Sequence, residues 1–427
     1  MNSSYFSGTF ITLTVYNLEK MIMRAYERFL EYVKINTQSS ETSGTHPSFA
    51  GEFDLARNLK AELEELGLRA ELDEKCYVYA YLEATKGYED KKVLGLIAHM
   101  DTSPSYSGEN VRPILHKDYD GGDVTYPCGK IMKACDFPDL AKMRGETLIT
   151  SDGTTLLGAD DKAGVAEIMT ALEILIRDGR DHGPIAVAFT PDEEIGEGAD
   201  NFDVKKLGAD YAYTVDGGDV NSIEYENFNA ADAKITIHGV SVHPGSAKNI
   251  MINAINVAHD FHSMLPEDAR PEHTEGYEGF FHLMHIEGNC DSAGMHYIIR
   301  DHDRGKFEDM KALMRECARG INEKYGQDTL TLAITDSYYN MEEMIRPHMF
   351  LVEAAKAAVS AEGLVPAEVP IRGGTDGARL SYMGLPCPNL GTGGMNYHGP
   401  FECITAERMD KATRVILNII YDIMKRL

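Results

Sequence analysis

Apolar positions in this chain recur at two periods, and the period changes along its length. Arg24 to Val33 has helical spacing, as does Glu52 to Leu66, which ends at Gly67, a residue suited to a helix C-terminus. Tyr77 to Ala84 and Val93 to Ala98 read as strands; the second is almost wholly apolar, which predicts burial on both faces. Lys162 to Ile176 reads as a helix opened by Asp161, followed by the apolar strands Ile185 to Thr190 and Tyr211 to Val215. Strands alternating with helices predict an α/β fold built on a mostly parallel sheet.

The pattern then shifts. Ala231 to His238 alternates apolar and polar residues, as a half-exposed antiparallel strand does. A helix from about Ala247 to Met264, strands at Phe280 to Glu287 and His296 to Asp301, a helix from Lys306 to Lys324 and an alternating strand from Leu330 to Asp336 complete a small α+β unit with one open sheet face. The α/β pattern resumes with helices at Pro347 to Ala361 and Ala406 to Lys425. This predicts a catalytic-type domain from 23–226 and 340–427, interrupted by an insert at 227–339. Residues 1–22 read as an extra, disordered leader, because folded structure starts more naturally at Met21 or Met23.

Composition narrows the function. Against 41 Lys and Arg stand 68 Asp and Glu, a formal charge of −27, which argues against nucleic acid and anionic membrane surfaces as partners. No stretch approaches a membrane span, and no basic region or cleavage site marks a secretory signal. Seven scattered cysteines without a C-x-x-C pair fit a reducing compartment, hence the cytoplasm, and core roles.

Candidate chemistry sits where the apolar runs end. His99 and Asp101 follow one strand, Glu193 and Glu194 another, and Asp216 a third. Asp160 and Asp161 open a helix, and His398 lies in a glycine-rich loop far along the chain. Imidazole and carboxylate are the ligand types of zinc and similar divalent ions, and open α/β sheets gather their sites at the strand ends. Each motif has a plainer alternative: a loop ion pair for His99 and Asp101, a helix cap for the aspartates, a solvated loop for the glutamates. If His99 binds metal, Asp101 can orient its other ring nitrogen. One glutamate can ligate while its neighbour takes a proton from the attacking water. His243, in the insert, can donate to a developing oxyanion or sit on the surface as a plain loop histidine. Arg372, among glycines, suits capture of a substrate carboxylate; the alternative is an internal salt bridge, perhaps to Asp376.

The segments AHMDTSP (98–104), LLGADDKAGVAEI (156–168), TPDEEIGEGA (190–199), TVDGG (214–218), HGVSVHPGSAKN (238–249), MHYIIRDHDR (295–304), RGGTDGARLSYMGLPCPNLGTGG (372–394) and NYHGP (396–400) together resemble the M20 metallopeptidase family. The resemblance covers nearly everything after Met23. It implies two zinc ions per subunit, with other divalent metals as substitutes. His99 and Asp216 would hold one, Glu194 and His398 the other, and Asp160 would bridge them. It also implies that Asp101 orients His99, that Glu193 is the general base, and that the Asp160–Asp161 peptide is cis. The insert would be a lid and homodimerisation domain, with His243 acting on the transition state. Arg372, and more weakly Asn249 and Arg300, would contact substrate. The implied reaction is removal of the N-terminal residue from short peptides, tripeptides foremost. The alternative is another hydrolase of the same family: a dipeptidase, carboxypeptidase or N-acyl-amino-acid deacylase.

Overall fold

The computed structural model describes residues 22–426, so the expectation of a disordered leader falls almost wholly outside the described residues. In chain order, the larger body comprises helices α1 (Ala25–Tyr32) and α2 (Glu52–Glu65), strands β1 (Arg69–Leu72), β2 (Val78–Leu82) and β3 (Leu94–His99), helix α3 (Ala159–Asp178), and strands β4 (Ile185–Thr190), β5 (Tyr211–Val215) and β6 (Ser222–Glu224). The insert contributes β7 (Asn229–His238), α4 (Ala254–Met264), β8 (Phe280–Gly288), β9 (Ser292–Asp301), α5 (Arg304–Tyr325) and β10 (Leu330–Tyr338). The larger body then resumes with α6 (Phe350–Ala361), β11 (Ala367–Glu368), α7 (Asp376–Tyr382), β12 (Asn389–Leu390) and α8 (Ala406–Arg426).

The main sheet has the order β1-β2-β4-β3-β5-β12-β6-β11. Its centre, β4-β3-β5-β12, is parallel, while antiparallel pairs appear on either side. The apolar runs are explained by burial on both faces. Leu94, Leu96 and Ala98 of β3 and Ile185, Val187 and Phe189 of β4 pack into a core shared with α1, α2, α3, α6 and α8. Ile97, Ala186 and Ala188 face a second core with Tyr77, Phe202 and Leu380. The fold is therefore α/β with helical cover on both sides of a mostly parallel sheet.

The insert is a separate four-stranded antiparallel sheet, ordered β8-β9-β7-β10. Helices α4 and α5 cover one face and share a core with alternate strand residues such as Ile235, Ile237, Tyr297 and Ile299. The expected strand and helix order holds, but α4 starts later than Ala247. Asn253 caps it, its side chain accepting the Ile255 N–H at 2.9 Å, and the residues before it serve a turn that bridges Val240 to Ile252. Helix α6 likewise starts at Phe350, after a short 3-10 turn over Arg346–His348. A three-stranded sheet formed by Ile114–His116, Leu148–Thr150 and Cys403–Thr405 was not expected from the pattern. Its partners are short and far apart in sequence.

Candidate active site

Strand β3 lies between β4 and β5, so the ends of these parallel strands deliver side chains to one place. β3 ends on His99, β4 runs into the turn bearing Glu193 and Glu194, and β5 runs into Asp216. Asp160 and Asp161 come from the start of α3, which approaches β5 closely: a Cβ on Gly164 would stand 2.0 Å from the Val215 carbonyl. Only glycine permits that approach. The peptide between Asp160 and Asp161 is cis. His398 arrives on the loop after β12, which pairs with β5.

Asp160 divides its carboxylate between the two imidazoles. Its Oδ1 is 3.1 Å from His99 Nε2, and its Oδ2 is 3.2 Å from His398 Nε2. Asp216 Oδ1 lies 3.7 Å from His99 Nε2, and Glu194 Oε2 lies 3.0 Å from His398 Nε2. Glu193 Oε2 is 4.0 Å from His99 Nε2. On the far side of the ring, His99 Nδ1 is 3.2 Å from both the carbonyl and Oδ1 of Asp101. A donating Nδ1–H leaves Nε2 as the free lone pair facing the carboxylates. Asp101 also accepts the N–H groups of Glu193, at 2.9 Å, and of Glu194, at 3.1 Å. It thus fixes both the histidine and the glutamate turn.

The same atoms also allow a grouping of His99 with Asp161 and Asp216. Asp161, however, is already engaged: its Oδ2 accepts the His99 N–H at 3.2 Å and its Oδ1 the Gly164 N–H at 3.3 Å. It caps α3, while Asp160 faces the histidines.

Among the described residues, no lysine or arginine pairs with any of these carboxylates. Burial, with Asp216, Asp376 and Glu194 nearby, pushes Glu193 well up from the usual carboxylate range. Burial beside Asp160 raises Glu194 to about 7 and Asp216 to about 6. Asp160, although buried, is held low by His398 and His99. The Glu194 Oε1 atom is buried without a hydrogen-bond partner, which costs free energy unless something fills the position. Divalent cations fit this set: two imidazoles, a shared carboxylate and an orphaned carboxylate oxygen are hard and borderline donors in excess of the local positive charge.

Residues expected at the substrate end are not gathered with this cluster. His243 is exposed, and its Nδ1 accepts the Gly245 N–H at 3.1 Å. Asn249 is exposed too, in a left-handed backbone conformation. Arg372 is engaged elsewhere. Its Nη1 donates to the carbonyls of Gly276 and Glu278, and its Nη2 to the carbonyl and hydroxyl of Thr274. Both terminal nitrogens tie the 371–374 loop to the insert and make no salt bridge to Asp376. Arg300 differs: its Nη1 is buried without a partner, and the guanidinium lies 4.9 Å from the ring centre of Tyr338. Tyr338 in turn lies within the field of Glu193.

Two buried carboxyl groups beside the cluster escape sequence reasoning. Asp376, expected only as a partner for Arg372, is buried beside the cluster, accepts the Thr190 hydroxyl at 3.1 Å, and is raised to about 7 by burial. Glu402, four residues after His398, is buried against the Asp160 loop. A lone carboxylate in a loop carries no sequence signal of such a place. A further group, His46, Asp192 and Glu197, lies behind the turn that carries Glu193. His46 Nδ1 stands 3.1 Å from Asp192 Oδ2, and the same carboxylate accepts the Ser48 N–H. Through the Ser48 N–H, Asp192 ties the His46–Ser48 segment to the turn.

A covered, mostly parallel sheet with an antiparallel insert, and two histidines gathered around one aspartate, is the arrangement that comparison with known proteins places among the M20 peptidases. The sequence pattern of the M20 peptidase dimerisation domain matches residues 225–329. Among solved structures, the aminopeptidase PepT of Bacillus cereus superposes with a TM-score of 0.76 at 23% identity, over 94% of this chain and 98% of that one. A dinuclear metal-binding M20 peptidase of Bacillus subtilis gives 0.64 at 16% identity, over 94% and 98%. Peptidase T of Alkaliphilus oremlandii is 54% identical over 400 residues, 92% of this chain and 98% of its own, and that of Caldanaerobacter subterraneus is 53% identical over 403 residues, 93% and 98%. The chain belongs to the peptidase T family of M20 peptidases.

Proposed function

We propose that this peptidase is a two-metal aminopeptidase that removes the N-terminal residue from short peptides, tripeptides foremost. The observation that carries the reading is the split of the Asp160 carboxylate between His99 and His398, at 3.1 and 3.2 Å. His99 and Asp216 would hold one ion, Glu194 and His398 the other, and Asp160 would bridge them; zinc is the ion proposed. When bound, such ions polarise the scissile carbonyl and make water a stronger acid.

Glu193 is the group placed to move the proton. Its backbone is pinned by Asp101, and its carboxylate reaches the edge of the cluster while remaining partly open. It would accept a proton from the attacking water and pass it to the leaving amine. Asp101 holds the tautomer and angle of His99. His243, on the lid, would serve the oxyanion only after the lid moves relative to the site. Of the two arginines, Arg300 is the better candidate for the peptide C-terminal carboxylate, because it alone has a buried donor to spare.

A homodimer formed through the insert accompanies this reading, supported by the match to a dimerisation domain. The seven cysteines form no disulfide, which fits a cytoplasmic setting. No helix among the described residues is long and apolar enough to cross a membrane. The test is a substrate series: Ala-Ala-Ala, its N-acetylated form and alanine dipeptides, offered to the metal-loaded protein. The tripeptide with a free N-terminus should be turned over best. Cleavage of the acetylated peptide alone would instead favour a deacylase or carboxypeptidase.

A further inference from the structure

The two ion positions proposed above are supported unequally. His99 and Asp216 stand at the ends of β3 and β5, which are paired in register from Leu94 and Tyr211 to Ile97 and Thr214. A strand ladder sets their spacing. Asp160 and His398 have no such ladder, since one opens a helix and the other lies in an irregular loop.

Glu402 joins those two loops. It follows His398 by four residues, is 1% exposed, and turns back beneath the start of α3. Its Oε2 accepts the N–H groups of Leu157 at 2.7 Å and Gly158 at 2.9 Å, and its Oε1 accepts that of Asp160 at 3.0 Å. The Asp160 N–H belongs to the opening of α3, where the backbone is not yet helical, so it needs an acceptor from outside the helix. The carboxyl group from the His398 loop accepts it together with the N–H groups of Leu157 and Gly158, which lead into the helix. Three N–H donors on one buried carboxyl group form a stiff joint between the two loops.

We infer that Glu402 is a positioning residue which, by locking the Asp160 loop to the His398 loop, sets the geometry of the second ion position; that position depends on it more than the first, which shares Asp160 but has its other ligands, His99 and Asp216, placed by the strand ladder. The inference rests on the ligand assignment proposed above, and the test separates the two. Metal-depleted protein is titrated with Co²⁺, followed by its visible absorption and by calorimetry, in the wild type, Glu402→Gln and His398→Ala. The glutamine keeps the shape but replaces one acceptor oxygen with a donor.

The wild type should bind two ions per chain. Glu402→Gln should weaken the second about 10- to 100-fold, the range usual for groups that support metal ligands, and the first, which keeps His99 and Asp216 on the strand ladder, distinctly less. His398→Ala should weaken the same second ion. If His398→Ala leaves two ions bound as in the wild type, the ligand assignment fails. If His398→Ala weakens one ion while Glu402→Gln binds both normally, or loses both alike, the role given to Glu402 is overturned. Should Glu402→Gln not accumulate as folded protein, amide hydrogen exchange on the metal-free wild type decides. The Leu157, Gly158 and Asp160 amides should exchange slowly, and exchange at loop rates overturns the inference.

Discussion

At the scale of single residues, the chemistry turns on which groups are already satisfied. Glu193 is pinned through its backbone but keeps a carboxylate to use, whereas Asp101 and Asp161 are committed to N–H groups and an imidazole. Glu193→Ala should therefore retain both ions by elemental analysis yet lose about 10²- to 10⁴-fold in kcat. Activity within about tenfold of wild type would refute the general-base role. The arginines make a paired prediction. Arg300→Ala should raise KM about tenfold or more for tripeptides with a free C-terminus, the scale of a lost charged hydrogen bond, and leave C-terminal amides unaffected. Arg372→Ala should lower thermal stability by loosening the loop at 274–278 without discriminating acid from amide. The reverse pattern in a steady-state comparison would restore Arg372 as the carboxylate ligand.

At the scale of elements, close approach and burial matter more than any one contact. Gly164 lets α3 press against β5, so Gly164→Ala must push the helix away from Val215. Such overpacking costs about 1–3 kcal/mol, and metal affinity should fall with it, because Asp160 and Asp216 ride on the two elements. Unchanged melting and metal binding would contradict that coupling. A second element-scale effect lies at the junction of the insert and the main sheet. His302 packs tilted against the rings of Phe228 and Tyr277, and its Nε2–H donates to the Ile371 carbonyl. Burial, with Arg372 nearby, pushes its pKa down to about 4. The unfolded chain, with an ordinary histidine near 6.5, takes up the proton first as pH falls. Stability from this group is thus intact above about 6.5 and is lost between there and about 4, by up to about 3 kcal/mol. His302→Gln should flatten that part of the pH–stability curve relative to wild type in thermal melts. Parallel curves for the two proteins would rule the effect out.

At the scale of the whole molecule, the alternation of strand and helix sufficed for the α/β class and for the change to a half-exposed antiparallel insert. Continuous apolar runs mark strands covered on both faces, and β3 and β4 are such strands. The order of strands was not legible, nor was the sheet that joins Ile114–His116, Leu148–Thr150 and Cys403–Thr405, since pairing over such distances leaves no local period. In the site, the histidines and paired acids stood out because they follow apolar runs. Glu402 and Asp376 did not, since their importance comes from burial against segments far away in sequence. The partners of Arg372 were hidden for the same reason: a guanidinium among glycines looks free until the carbonyls of 274–278 are seen around it. The insert bears on assembly. Its edge strand β8 exposes Met284 and Ile286, at 53% and 51%, an edge that proteins usually cover or charge. Light scattering should give about twice the 47.3 kDa chain mass, and Ile286→Lys should shift the protein toward monomer. A monomeric wild type would overturn dimerisation through this edge.

As a member of the peptidase T family, the chain should cut the first peptide bond after a free N-terminus. The most direct measurement gives the metal-loaded protein a tripeptide with three different residues, Ala-Leu-Gly, and identifies the earliest products by mass spectrometry. Free alanine with Leu-Gly is the predicted pair; Ala-Leu with free glycine would contradict the account.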